Sequence, residues 1–194
     1  MHMQNILLAA GLGKRSGGEK LLLPYRGQPI IAQAVEQSLL AGLYTIVVTG
    51  FRKAEIEQAL QQFACPNLLV TYNGNYSQGQ GSSTLVGVQA LRDGEDFFIS
   101  LADMPLIQAT HYQYLARHFT SADALRPLYK GQIGHPVLLR ASFKAQILEQ
   151  KVPFTMHGLL QEFHVEQCIV NDEAYVRDID TIHAYAELLM HPQP

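Results

Sequence analysis

Ile6-Leu7-Leu8-Ala9-Ala10-Gly11-Leu12-Gly13-Lys14-Arg15-Ser16-Gly17-Gly18-Glu19-Lys20 decides how this chain is read. Its apolar run fits a central parallel strand, whose two faces are both covered and must both be apolar. The run then breaks into a loop with four glycines, two lysines and one arginine. Glycine lets the loop backbone turn tightly and approach a ligand. Exposed backbone N–H groups beside fixed positive charge suit a polyanion, most simply a phosphate chain. Two familiar phosphate loops are near misses. A P-loop needs G-x-x-x-x-G-K-[ST], but after Gly13 and Gly18 the chain reads Glu19-Lys20-Leu21. The dinucleotide fingerprint opens at Gly11 and Gly13 and then meets Ser16. The loop therefore holds phosphates in a third way.

Outward from this loop, apolar runs alternate with amphipathic ones. Strands are expected at Gln4–Ala10, Thr45–Gly50, Leu68–Asn73, Phe97–Ala102, Gly134–Leu139 and Val165–Val170. Helices are expected at Pro29–Leu40, Lys53–Phe63, Ser83–Leu91, Thr110–Phe119, Ser142–Gln150 and Thr181–Met190. Ala124–Gly134, which contains Pro127, reads as a connection or an irregular strand at the rim of the site. The alternation predicts an α/β fold with a parallel sheet covered on both faces and ligands outside the carboxyl ends of its strands. The 194 residues fit one domain, 1–194, large enough to bury roughly 70% of its unfolded surface.

Charge and composition narrow the function. A net charge of −3 argues against a general nucleic-acid or membrane surface. No apolar stretch approaches a membrane span, and residues 1–20 do not follow the pattern of a secretory leader. Cys65 and Cys168 fit reduced thiols. A cytoplasmic location is expected.

A second strand ends in chemistry at Phe97-Phe98-Ile99-Ser100-Leu101-Ala102-Asp103-Met104-Pro105. Asp103 falls at the same sheet edge as the glycine loop. A carboxylate facing a phosphate chain repels it unless a cation intervenes, and Mg²⁺ bridges carboxylates to phosphates. A plain capping role for Asp103 is the alternative. Asp178-Ile179-Asp180-Thr181 offers a second ligand, although Asp180 or Thr181 also suits the N-cap of the last helix. The polar stretch Asn73–Thr84, with Gly81 and Ser82, reads as a cradle for a base, a sugar or a second phosphate, or as an ordinary capped loop. His135, in Gly134-His135-Pro136, is an acceptor-side candidate against a structural reading. The other histidines lack metal-ligand spacing, and no G-x-S-x-G elbow supplies a nucleophile.

Together these residues resemble the molybdenum cofactor nucleotidyltransferase family. Leu8-Ala9-Ala10-Gly11-Leu12-Gly13-Lys14-Arg15, with Gly17-Gly18 and Lys20, is similar to its L-A-A-G-x-x-x-R-x-G-x-x-K signature. Leu101–Pro105, Gly79–Ser83, Gly134–Val137 and Asp178–Thr181 resemble further family motifs in order, over nearly the whole chain. The pattern is most like the cytidylyltransferases, because guanylyltransferases more often carry Leu-Ala-Gly-Gly. The resemblance implies a three-layer αβα Rossmann-like fold with a mostly parallel sheet. It also implies transfer of a nucleoside monophosphate from an NTP, with CTP favoured, to a phosphorylated acceptor such as molybdopterin. Leu8, Ala9, Ala10, Gly11, Gly13, Lys14, Gly81 and Ser82 would bind the nucleotide. Arg15, Lys20 and Asp103 would be catalytic, and Asp103 and Asp180 would hold Mg²⁺, with Asp180 the better match than Asp178. A molybdoenzyme or its chaperone is the implied protein partner. The chain departs from the family at Lys151–Leu160, where cytidylyltransferases usually carry a Gly-Asp-x-Gly-Ala-Arg-like segment on the acceptor side. A sugar-phosphate nucleotidyltransferase of the same fold and a non-catalytic nucleotide-binding delivery protein stay open as rivals.

Overall fold

A computed structural model describes residues 3–12, 19–63 and 65–190. The strand before the glycine loop, β1 (Gln4–Ala9), is buried along its whole length. Its alternate residues feed two layers. Ile6 and Leu8 pack in one cluster with Val88, Phe143 and Leu160, and Leu7 and Ala9 in another with Ile31, Val35 and Ile56. The two polar residues opening the strand are satisfied. The Gln4 side chain exchanges hydrogen bonds with the Arg92 backbone at 3.0 and 2.8 Å. Asn5 donates to Ser38 Oγ at 2.9 Å and accepts from Ser100 Oγ at 2.7 Å. Buried polar groups left unpaired would each cost about 1–3 kcal/mol.

Downstream, the hairpin β2 (Pro24–Tyr25) and β3 (Gln28–Pro29) leads into α1 (Ile30–Leu40), then β4 (Tyr44–Thr49), α2 (Lys53–Leu60), β5 (Leu68–Tyr72), α3 (Gln80–Gln89) and β6 (Phe97–Leu101). The second half holds α4 (Ala109–His118), β7 (Ala124–Tyr129), β8 (Gln132–Ile133), β9 (Val137–Leu139), α5 (Phe143–Leu148), α6 (Met156–Leu160), β10 (Val165–Ile169) and α7 (Ile182–Met190). The main sheet runs β10-β7-β9-β6-β1-β4-β5, with β8 beside β7. Strand β1 is parallel to both β4 and β6, in registers Ile6↔Ile46 and Ile6↔Ile99. The order therefore reverses between β1 and β6. Their carboxyl ends, Ala9 and Leu101, flank the crevice where ligands of open α/β sheets bind.

The sheet is mostly, not wholly, parallel, because β9 runs antiparallel to β6 and β7. Ala124–Gly134 is largely strand: β7 pairs with β10 through Cys168↔Pro127. Proline is tolerated because the β9 ladder ends at Leu125, short of Pro127. Helix α3 starts earlier than expected, at Gln80. Helix α4 is capped by Gln108, whose side chain bonds the His111 backbone while His111 Nδ1 accepts from Gln108 N at 2.8 Å. Thr181 caps α7, its Oγ1 accepting from Ala184 N at 3.1 Å. Helix α3 lies close against β1 at Gly87, where a Cβ would strike the Ile6 side chain. None of the described helices is long and apolar enough to cross a membrane.

Candidate active site

Two backbone contacts assemble the crevice. Ala102 N donates to Leu8 O at 3.1 Å, carrying the β1–β6 pairing past the strand end and holding Asp103 beside the loop after β1. Ile179 N donates to Asp103 O at 2.9 Å, which ties the segment before α7 to the same point. Residues more than 70 positions apart in sequence are thereby brought to one side chain, Lys20. Its ammonium hydrogen-bonds Asp103 Oδ2 and, at 3.0 Å, Asp180 Oδ1. Burial works against that charge. The charge and hydrogen bond of Asp103, followed by those of Asp180, outweigh it and hold the Lys20 pKa above its ordinary value. Burial first, and then the charges of Asp180 and Asp103, push Asp178 above the usual carboxylate range.

Lys20 and Asp103 line a cavity of about 320 Å³ together with Leu8, Ala9, Ala10 and Gly11. Leu12 continues the wall from the same loop, and Tyr76, Ser77 and Ser83, all within the polar stretch Asn73–Thr84, close it from the other side. The cavity wall from α3 depends on Asn73, a buried residue at the end of β5. Asn73 Oδ1 accepts from Asn75 N at 2.9 Å, and its Nδ2 donates to the Ser82 and Ser83 hydroxyls at 2.9 and 3.0 Å. Gly79, at φ +99°, takes a backbone conformation that suits glycine and turns the chain into α3. No side chain caps that helix.

The candidate residues thus divide. Leu8, Ala9, Ala10, Gly11, Lys20 and Asp103 share the first cavity, and Asp180 reaches it through Lys20. Ser82 does not line it. Its hydroxyl donates within the loop to Asn75 O and Gly79 O at 3.0 and 2.8 Å, while its neighbour Ser83 takes the wall. Gly81 faces a second cavity of about 340 Å³, against Phe154, and His135 lines that cavity too. Gly13, Lys14 and Arg15 lie outside the described residues.

Among the described residues no three His, Cys, Asp or Glu side chains form a complete metal cage. Asp103 and Asp180 instead offer two carboxylates bridged by an ammonium, and Asp103 Oδ1 is buried with no hydrogen-bond partner among the described residues. This donor set fits a divalent cation that draws its remaining ligands from phosphate and water. Together with an uncapped helix start and a glycine loop at the strand reversal, it suits the handling of a nucleotide triphosphate.

Residues 5–166 match the family described as "MobA-like NTP transferase domain". The chain belongs to that family. It is a nucleotidyltransferase of the MobA-like type. It is 30% identical over 203 residues to a nicotine blue oxidoreductase of Paenarthrobacter nicotinovorans, covering 95% of both chains. It is 29% identical over 177 residues to a molybdenum cofactor cytidylyltransferase of Escherichia coli, covering 91% of this chain and 90% of the relative. In fold it matches Rv0371c of Mycobacterium tuberculosis with TM-score 0.84 at 19% identity, covering 98% and 99% of the two chains. A second structure of Rv0371c, matched with TM-score 0.78, is a complex with manganese.

Proposed function

We propose that this MobA-like protein, acting as a single domain over residues 1–194, transfers a nucleoside monophosphate from an NTP to a phosphorylated small-molecule acceptor. CTP is the favoured donor, Mg²⁺ the metal and molybdopterin the first acceptor to try. One observation carries the reading: Lys20 lies between Asp103 and Asp180 at the mouth of a cavity walled by Leu8–Gly11. A phosphate oxygen of the acceptor attacks the α-phosphorus, the bond from that phosphorus to the bridging oxygen breaks, and pyrophosphate leaves. No protein nucleophile is needed, because the attacking oxygen is already ionised.

The protein aligns the two substrates and offsets their charge. Leu8, Ala9, Ala10 and Gly11 bring backbone close to the nucleotide. Lys20, with Arg15 and Lys14 of the same loop, faces the triphosphate. Asp103 and Asp180 would hold the metal, which supplies charge neutralisation at the phosphates when bound. Ala10, a glycine in the guanylyltransferase pattern, favours cytosine. The 29% identity to the Escherichia coli cytidylyltransferase supports both CTP and molybdopterin.

The test is a pyrophosphate-release screen of the four NTPs against molybdopterin and a set of sugar phosphates, with Mg²⁺. Release with CTP and molybdopterin is expected. Release with another pair corrects the base or the acceptor. No release with any pair overturns the reading, and the oxidoreductase among its relatives becomes the activity to assay.

A further inference from the structure

The chain breaks two local rules at Arg52. Its backbone, at φ +55° and ψ +37°, lies in the left-handed region, which a long side chain seldom adopts. Arg52 also opens α2, where serine, threonine, aspartate or asparagine usually caps the helix and where the macrodipole disfavours a cation. Its side chain caps nothing there. Glycine would take the same backbone without strain. Departures of this kind persist where the surrounding structure holds them, and they concentrate at positions with a use.

The compensation is the guanidinium fork. Nη1 donates to Glu19 Oε1 at 2.7 Å, and Nε donates to Glu55 Oε1 at 3.0 Å. Glu55 lies on the arginine's own helix. Glu19 is 33 positions away and stands immediately before Lys20. The turn between β4 and α2 that carries Arg52 sits against the first cavity. Phe51 N donates to Ala10 O at 3.4 Å, and a Cβ on Gly50 would strike Ala10 and the Tyr76 side chain. The segment around Lys20 has use for a tie from this side. Leu22 N to Glu19 O and Leu23 N to Lys20 O, at 2.8 and 3.3 Å, join its turn to itself. Leu21 and Leu22 pack against the cluster of Leu7, Ala9, Ile31 and Ile56, which fixes its apolar side. The Lys20 ammonium is held by Asp103 and Asp180, the carboxylates proposed for the metal. The Arg52–Glu19 pair ties the segment to the β4 side without using them. Resting on the nucleotidyl-transfer reading, we propose that Arg52 is a positioning residue which, through Glu19, fixes where the Lys20 ammonium stands at the cavity. An exposed ion pair adds little to stability, so what this pair supplies is geometry. An error in the position of Lys20 is felt where charge develops on the reacting phosphates, in kcat more than in nucleotide KM. Arginine suits the task because its planar fork meets two carboxylates in one fixed geometry, which a lysine ammonium does not.

Arg52→Gly is the central variant, because it removes the side chain and relieves the backbone, so the melt should be no lower than that of the wild type. With Mg²⁺, CTP and molybdopterin its kcat should fall about tenfold while KM for CTP stays within about threefold. Glu19→Gln should match it, and Arg52→Lys should recover part of the loss. Glu55→Gln should keep the wild-type kcat. Arg52→Glu should be the most damaging single change, and adding Glu19→Arg should restore part of its kcat. A second readout needs no substrate. The Lys20 side chain is 13% exposed, so acetic anhydride, followed by mass spectrometry, should label it more slowly than the exposed Lys151. Arg52→Gly should raise labelling of Lys20 severalfold and leave that of Lys151 unchanged. An Arg52→Gly protein with wild-type kcat, or with unchanged Lys20 labelling, overturns the proposal, as does equal loss of kcat in Glu55→Gln and Glu19→Gln. If the wild type releases no pyrophosphate with any NTP while the Arg52-dependent shielding persists, the nucleotidyl-transfer reading fails and the tie from Arg52 to Lys20 stands.

Discussion

The two cavities on either side of the α3 start are similar in size and opposite in design. The first, about 320 Å³, sets an ammonium between two carboxylates, so that these charges are partnered within the protein and one negative charge is left over. The second, about 340 Å³, leaves Arg126 Nε and His135 Nδ1 buried without a hydrogen-bond partner among the described residues. A site whose charges partner one another can stay charged without a ligand, and the leftover negative charge suits a cation. A site with unpartnered buried groups depends on its ligand to complete it, and so discriminates more sharply between ligands that do and do not carry the missing groups.

Asp103→Asn is the strongest way to break the contrast. It should lower pyrophosphate release by about 10²-fold or more with the fold intact by urea unfolding. Near-normal release with Mg²⁺ would remove Asp103 from the metal-holding role. Lys20→Met comes next. Losing the cation proposed to face the triphosphate should lower kcat/KM for the nucleotide by roughly 10–10²-fold. The same change removes the competitor for Asp103 and Asp180, so Mn²⁺ binding to the free protein should tighten. Weaker metal binding, followed by the Mn²⁺ electron paramagnetic resonance signal, would mean that the carboxylates do not take the ion.

Gly87→Val tests the wall the cavities share. Overpacking α3 against Ile6 should cost about 1–3 kcal/mol in urea unfolding. It should weaken ligands of both cavities together, whereas an effect on one alone would show that the α3 start is not common to both. The smallest effect is a pH dependence. Burial depresses the His135 pKa, so the folded state resists its protonation. Its contribution to stability is present above the unfolded value, about 6.5, and is lost as pH falls through that value toward the lower folded one. Between pH 7 and pH 5 the wild type should therefore lose more stability than His135→Gln, read from urea midpoints. Identical losses would remove the neutral imidazole from the second cavity.

The first cavity was readable in the chain because its signals are local. An apolar run that stops at glycine and lysine marks β1 and its loop, and another that stops at Asp103 marks β6. The second cavity was not, because its parts look ordinary one at a time. Pro127 argued against a strand at β7, since proline cannot donate to a ladder. Yet β9 stops short of it, and Arg126 is carried into the wall on that strand. Ser82 read as a ligand contact because a hydroxyl at a helix start has two uses, and only Asn75 O, Gly79 O and Asn73 Nδ2 around it decide for the structural one.

By itself the sequence determined the α/β alternation, the crevice at the carboxyl ends of β1 and β6, and the residue types needed beside a polyphosphate. Those properties follow from hydrophobic period and from local backbone freedom, which are written within a few neighbouring residues. The tertiary structure alone decided that Asp180 meets Lys20, that β9 runs antiparallel, and that Arg126 and His135 share one cavity. Each of those depends on contacts between residues far apart in the chain, such as Ile179 N to Asp103 O and His135 N to Tyr175 O. Such contacts are set by packing and leave no periodic mark in the order of residues.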